Sequence, residues 1–145
     1  FREALVIWEA VLGPEHPDVA ASYANIGLLE WTLGHNEAAL AATTRALQIR
    51  EATLGPEHPE LAVSLANLGS VQSTMGRFDE ALANHRRALV LREQVLGPEH
   101  PRFADSLAQL GTSQIEMEAF AGQRVLVVHV TTTDEAVLHV ELALP

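Results

Sequence analysis

The hexapeptide Leu-Gly-Pro-Glu-His-Pro occupies residues 12–17 and recurs without change at residues 54–59 and 96–101. The spacing is 42 residues each time, and the similarity continues into the segment that follows each copy. An internal repeat of this length is typical of a solenoid, in which each repeat is one supersecondary unit stacked on the next. The sequence therefore predicts an array of similar units rather than a domain built around one central core.

Each repeat contains two helical patterns that are separated by short breaks. In the middle unit Leu61, Leu65 and Leu68 recur at three- and four-residue steps, which places them on one face of a helix. Pro59 suits a first helical turn because its missing N–H has no intrahelical partner there, and Gly76 suits a left-handed cap. The short connections make neighbouring helices antiparallel. The patterns predict six helices, at residues 1–12, 17–33, 36–53, 59–75, 78–95 and 101–117.

The composition limits the kinds of partner and location. The 145 residues have a formal net charge of −10, which repels a phosphate backbone, so we expect no nucleic-acid partner. No apolar run is long enough to cross a bilayer and no segment reads as a signal peptide, so we expect a cytoplasmic protein without a membrane partner. All nine basic residues are arginine, which suggests a bacterial source. Because Phe1 falls inside a helical pattern, we also expect further sequence before it.

The repeat resembles the tetratricopeptide repeat, in the 42-residue variety of kinesin light chains and many bacterial regulatory proteins. Its signature places a large residue three positions before a Leu-Gly pair, and alanine at two positions of the second helix. The glycine and alanine positions allow close approach of neighbouring helices. The resemblance covers residues 1 to about 120 and implies an all-α, right-handed superhelical solenoid of antiparallel helix pairs. The matching residues are Tyr23, Ile26, Gly27, Ala39 and Ala46, then Leu65, Leu68, Gly69, Ala81 and Ala88, then Leu107, Leu110 and Gly111.

The recurring polar residues do not favour catalysis or metal binding. His16, His58 and His100 each lie in a separate loop, about one repeat step apart, which is too far for one metal ion. We interpret them as loop residues beside helix starts. The serines that recur in the first helices have no partnered His and Asp, and no phosphate-binding loop occurs. Since cysteine is absent, disulfides and thiolate metal sites are excluded. We therefore predict no enzyme activity, no catalytic residue, no cofactor and no metal.

The resemblance also implies that the first helix of each pair lines a concave groove, where an amide before the Leu-Gly pair contacts a bound peptide. That amide is Asn25, Asn67 or Gln109, and an amide can pair with any extended backbone because it both donates and accepts hydrogen bonds. The candidate groove residues are Asn25, Leu28, Trp31, Val63, Asn67, Ser70, Gln109 and Thr112. Other positions that the family pattern directs into the groove are Ala21, Ala24, Thr32, Ala66, Ser73, Thr74, Asp105, Ala108, Ile115 and Glu116.

Alternatives remain for these residues. The amides also suit a solvated helix face, and Trp31 also suits packing against its own neighbours. None of the groove positions is Lys or Arg, which argues against a clamp for a peptide carboxylate. The predicted function is a protein–protein interaction scaffold that binds a partner peptide or helix in the groove. The alternatives are a regulatory repeat region of a larger bacterial signalling enzyme, such as a protein kinase, and a structural module that self-associates through open solenoid ends.

The repeat stops after Phe120. Where the register predicts another second helix, residues 121–124 read Ala-Gly-Gln-Arg. The segments 124–131 and 136–144 are rich in β-branched residues, and residues 132–135 suit a turn, which predicts a β-hairpin. The expected organisation is therefore a solenoid at 1–120 and a non-repeat tail at 121–145. The tail has three possible origins: a downstream β-containing domain, a cover for the open solenoid end, or an artificial junction.

Overall fold

A computed structural model describes residues 2–97, 99–121, 125–131 and 137–143. In these ranges each helix contacts the next along the chain, and α4 also contacts α2 and α6. Two complete helix pairs, α2–α3 and α4–α5, therefore stack between the single helices α1 and α6. The elements are α1 (Arg2–Leu12), α2 (Pro17–Thr32), α3 (Asn36–Leu54), α4 (Leu61–Thr74), α5 (Phe78–Leu96), α6 (Pro101–Phe120), β1 (Val125–Thr131) and β2 (Val137–Ala143).

The predicted helix ends lie within one residue of those in the structure, except at the start of α4 and the end of α6. Gly76 follows α4 with φ of +74°, where an L side chain would be strained, so the predicted left-handed cap is confirmed. The predicted start of α4 at residue 59 is wrong by two residues. The amide of Leu61 bonds to the carbonyl of His58, and this three-residue step makes a tight turn before the α-helix begins. Helix α6 continues to Phe120, whose ring centroid lies 5.5 Å from that of Phe78.

The apolar core is divided along the array. One cluster joins α3, α4 and α5 and includes Leu47, Leu65 and Leu91. A second cluster joins α1, α2 and α3 and includes Leu5 and Ile49. Each cluster lies between neighbouring helices, as expected for stacked units that bury apolar surface only against their neighbours.

The two helices of a pair are tightly packed at the first two signature glycines. A Cβ built on Gly27 would lie 2.6 Å from Cγ2 of Thr43, and one built on Gly69 would lie 2.7 Å from Cε1 of His85. No described atom lies within 4 Å of the same position on Gly111. After α6 the described chain forms strands in place of the second helix, so this glycine has no helix packed against it.

The hexapeptide histidines bond to the backbone at or just before helix starts. In each copy the histidine Nδ1 accepts a hydrogen bond, 3.1–3.2 Å long, from the backbone N–H two residues later. At His16 and His100, the N-cap residues of α2 and α6, the imidazole performs the role usually given to Ser, Thr, Asp or Asn. His58 makes the same bond to Glu60, the residue before α4. The interpretation of these residues as helix-start residues is thereby confirmed.

Replacing His100 with alanine is expected to lower the free energy of unfolding by about 1 kcal/mol, because the Arg102 amide loses its acceptor. His100→Asn should retain most of the stability, since asparagine also accepts at this position. Urea unfolding followed by circular dichroism measures both variants. An alanine variant as stable as the wild type would show that the hydrogen bond does not stabilise α6.

The tail residues form paired strands. β1 and β2 are antiparallel, with Val128 opposite Val140 and His129 opposite His139. β1 also contacts α6. The predicted turn at 132–135 lies outside the described residues. The strands therefore start directly beyond the last helix of the array.

Candidate functional site

Two depressions lie beside α4, one near its C-terminal end and one near its N-terminal end. The first, called the polar pocket, has a volume of about 310 Å³. The second, called the arginine pocket, has a volume of about 340 Å³. The polar pocket is lined by Trp31, Ser70, Ser73, Thr74, His85, Ala108, Gln109, Thr112, Ser113 and Glu116. The arginine pocket is lined by Arg50, Pro59, Glu60, Val63, Leu91, Arg92, Val95 and Arg102.

Hydrogen bonds across the polar pocket join the first helices of three successive units. Trp31 Nε1 on α2 donates to Thr74 Oγ1 on α4 at 3.1 Å. Ser73 Oγ on α4 donates to Glu116 Oε2 on α6 at 2.7 Å, and it lies 3.1 Å from Ser113 Oγ. Side chains from three helices are thus held around one cavity.

His85 of α5 forms part of the wall of the polar pocket. Its side chain is only 2% exposed, and its Nδ1 has no hydrogen-bond partner among the described residues. Burial lowers the pKa of His85, an effect that Glu116 opposes and Arg92 reinforces. The imidazole is therefore neutral near pH 7. Thr43, 42 residues earlier, holds the corresponding position against Gly27. This buried imidazole therefore distinguishes the second unit from the first.

The predicted groove residues do not all lie together. Asn25 and Leu28 are exposed on α2, and Asn67 is half-buried on α4; none of these three lines either pocket. Val63 is in the arginine pocket. The family pattern is wrong for Ala66, which is 3% exposed and belongs to the apolar core. Four candidates line the polar pocket, namely Trp31, Ser70, Gln109 and Thr112.

Sequence reasoning missed the cations of the arginine pocket because they do not come from the positions that the family pattern named. Arg50 of α3 donates to Ser64 Oγ, and Arg92 of α5 donates to Ser106 Oγ. Arg102, at the start of α6, lines the same pocket. The absence of cations at the groove positions is thus no argument against an anionic group at this end. The signal was available, since the Arg–Ser pair recurs after 42 residues.

His85 was missed for a different reason. It lies on a second helix, and the sequence of the first unit has a threonine there, so no repeat pattern indicates a role. Its position in the wall depends on Gly69, which leaves room for the ring. Only the packing of α5 against α4 places this imidazole beside the groove.

Within the ranges given above, no cluster of three or more His, Asp or Glu side chains is placed to hold a metal ion. Among the described helices, none combines the length and apolar character needed to cross a bilayer.

Comparisons with known proteins bear on the family and the fold. The family model described as Tetratricopeptide repeat matches residues 1–52 and 37–94. A search of curated proteins finds no match to the chain. Among solved structures, a candidate kinesin light chain with nearly identical TPR-like repeats from Podosopora anserina has a TM-score of 0.75 and 23% identity. That likeness covers 84% of this chain and 56% of the other.

A second solved structure extends the likeness over the full repeat region. BtubC (BKLC) from P. vanneervenii has a TM-score of 0.72 and 22% identity, over 98% of this chain and 61% of that one. This chain therefore spans less than two thirds of either structure. At these identities the likeness shows the fold.

The family assignment rests on both the repeats and the matches. The two family matches together extend over residues 1–94, which is more than half of the chain. The six described helices and the 42-residue period agree with these matches. Repeats of this type generally mediate protein–protein interactions and are generally not catalytic. The chain belongs to the tetratricopeptide repeat family.

Proposed function

We propose that the chain binds an extended segment of a partner protein in the groove formed by α2, α4 and α6. The observation that carries this proposal is the polar pocket, a cavity of about 310 Å³ with side chains from three successive units around it. Binding sites for small groups are concave and have a few well-placed polar atoms. A cavity of this size suits one side chain of a bound segment.

The surroundings of the pocket suit the rest of such a segment. Asn67 and Gln109 lie at the same position of successive units, and an amide side chain can both donate to and accept from a peptide backbone. Leu28 is 51% exposed and provides apolar surface on the neighbouring helix. A few contacts of this kind support a dissociation constant on the order of micromolar, or about −8 kcal/mol.

The test uses a peptide selected from a random displayed library against the intact chain, with affinity measured by calorimetry. Combining Asn67→Ala with Trp31→Ala is expected to weaken binding at least tenfold, or about 1.4 kcal/mol, because a backbone contact and an aromatic wall are both removed. Gln48→Ala is the matched control, since it removes an exposed amide from the second helix α3. If the double variant binds as the wild type does, or if Gln48→Ala weakens binding equally, the groove is not the site.

A further inference from the structure

The polar pocket contains a carboxylate and no cation. Glu116 is exposed, and its Oε2 accepts from Ser73. Among the described residues Glu116 makes no ion pair within 4 Å, and none of the side chains around the pocket is Lys or Arg. The neutral ring of His85 adds no positive charge. The electrostatic character of the pocket is therefore negative.

An aromatic ring also borders the pocket. Trp31 is half-buried, and its Nε1 bond to Thr74 holds the indole in place across two units. The face of an indole attracts an ammonium or guanidinium group because of its quadrupole. A carboxylate and an indole around one cavity are the two groups that most favour a cation.

Two polar side chains of the pocket have atoms without a partner. The Oε1 of Gln109 is inaccessible to solvent and accepts no hydrogen bond from a described residue; the Nδ1 of His85, a donor or an acceptor according to the tautomer, also has no described partner. Buried acceptors without donors are unfavourable, and they are rare in folded proteins. A ligand with N–H donors would supply the donor that the Gln109 amide oxygen lacks, once that half-buried side chain turns toward it.

The location of the polar pocket beside the C-terminal ends of two helices also favours a cation. Trp31 and Thr74 belong to the last turns of α2 and α4, where the carbonyl ends of the helices carry partial negative charge. The arginine pocket, near the other end of α4, holds three guanidinium groups and one carboxylate, from Arg50, Arg92, Arg102 and Glu60. Of the two pockets, the polar pocket is therefore the one that favours a cation.

We propose that the polar pocket binds a basic side chain, lysine or arginine, of the partner segment. The charged group lies between the Trp31 ring and the Glu116 carboxylate, with Gln109 as a further acceptor. This inference rests on the proposed function and specifies the charge of the residue that enters the groove at this point.

The test follows peptide binding by the fluorescence of Trp31. The chain has two tryptophans, so Trp8→Phe leaves Trp31 as the only one. The probes are blocked peptides Ser-Ala-Xaa-Ala-Ser, in which the central residue is lysine, arginine, norleucine or glutamate. The lysine and arginine peptides are expected to change Trp31 fluorescence saturably. The norleucine peptide should bind at least fivefold more weakly, and the glutamate peptide should not saturate the signal.

Matched variants separate the pocket from overall charge. Glu116→Gln should weaken the lysine and arginine peptides at least fivefold and leave the norleucine peptide unchanged. Glu57→Gln removes the same charge from an exposed position outside both pockets and should bind as the parent does. Circular dichroism confirms that each variant is folded.

Three results would overturn the inference. They are equal binding of the lysine and norleucine peptides, equal effects of Glu116→Gln and Glu57→Gln, and no saturation by the basic peptides up to their solubility limit. Equal binding of lysine and norleucine peptides that is lost in Asn67→Ala would remove only the charge preference and leave the groove as a binding site. If the library-selected peptide instead bound equally well to the wild type and to the variant that combines Asn67→Ala with Trp31→Ala, the proposed function itself would be wrong.

Discussion

Replacing Leu65 with alanine is expected to lower the free energy of unfolding by about 3 kcal/mol, in the range typical of buried leucines. The Leu65 side chain is 0% exposed and belongs to the cluster that joins α3, α4 and α5. Its removal takes apolar contacts from three helices at once and leaves a cavity, which the packed neighbours fill only in part. Urea unfolding followed by circular dichroism measures the change.

Leu28→Ala is the matched control because it makes the same chemical change on an exposed side chain. Leu28 is 51% exposed on α2, so the expected loss is below about 1 kcal/mol. Equal losses in the two variants would show that the central cluster does not stabilise the array. The same control also reports on binding, since Leu28 lies on the proposed groove.

Replacing Gly69 with alanine is expected to lower the free energy of unfolding by about 2 kcal/mol, although alanine is the better helix former by about 1 kcal/mol. The new methyl group would lie 2.7 Å from Cε1 and 2.8 Å from Nε2 of His85. Because that ring is 2% exposed, it has little room to move away, and α4 and α5 must separate. Thermal and urea unfolding measure the loss.

Gly111→Ala is the control for Gly69→Ala, since both glycines follow a leucine at the same repeat position. No described atom lies within 4 Å of the added group at Gly111, so helix propensity should raise stability by up to about 1 kcal/mol. Combining Gly69→Ala with His85→Ala should recover part of the loss, and a double-mutant cycle isolates the contact. If both glycine variants shift stability in the same direction and by the same amount, the close contact with His85 does not determine the effect.

Features of the fold that depend on residues close together in the sequence could be predicted without the structure. The helix positions, the apolar stripe that contains Leu65 and the cap at Gly76 were predictable because each depends on residues within one or two helical turns. The start of α4 was misplaced because the turn at Leu61 depends on a competition between two local hydrogen-bond patterns. Boundaries of this kind respond to small differences in energy.

The candidate site was predictable only in part. Trp31, Ser70, Gln109 and Thr112 were proposed because the family pattern directs them into the groove, and they do line one cavity. The pattern could not indicate His85, because no second-helix position belongs to the predicted groove. For the same reason it did not reveal Arg50 and Arg92, which lie on the second helices α3 and α5.

The amino-acid sequence alone determines the 42-residue period, the six helices and the family. The reason is that periodic apolar residues and helix-ending glycines act on residues close to them along the chain. The tertiary structure alone decides which side chains share a pocket. Trp31 and Thr74 are 43 residues apart, as are Ser73 and Glu116, and their contacts exist only when successive units stack. It also decides that Gly69 is closely covered while Gly111 is open, although the Leu-Gly motif is the same. The physical reason is that close packing depends on the neighbouring helix, which the local sequence does not specify.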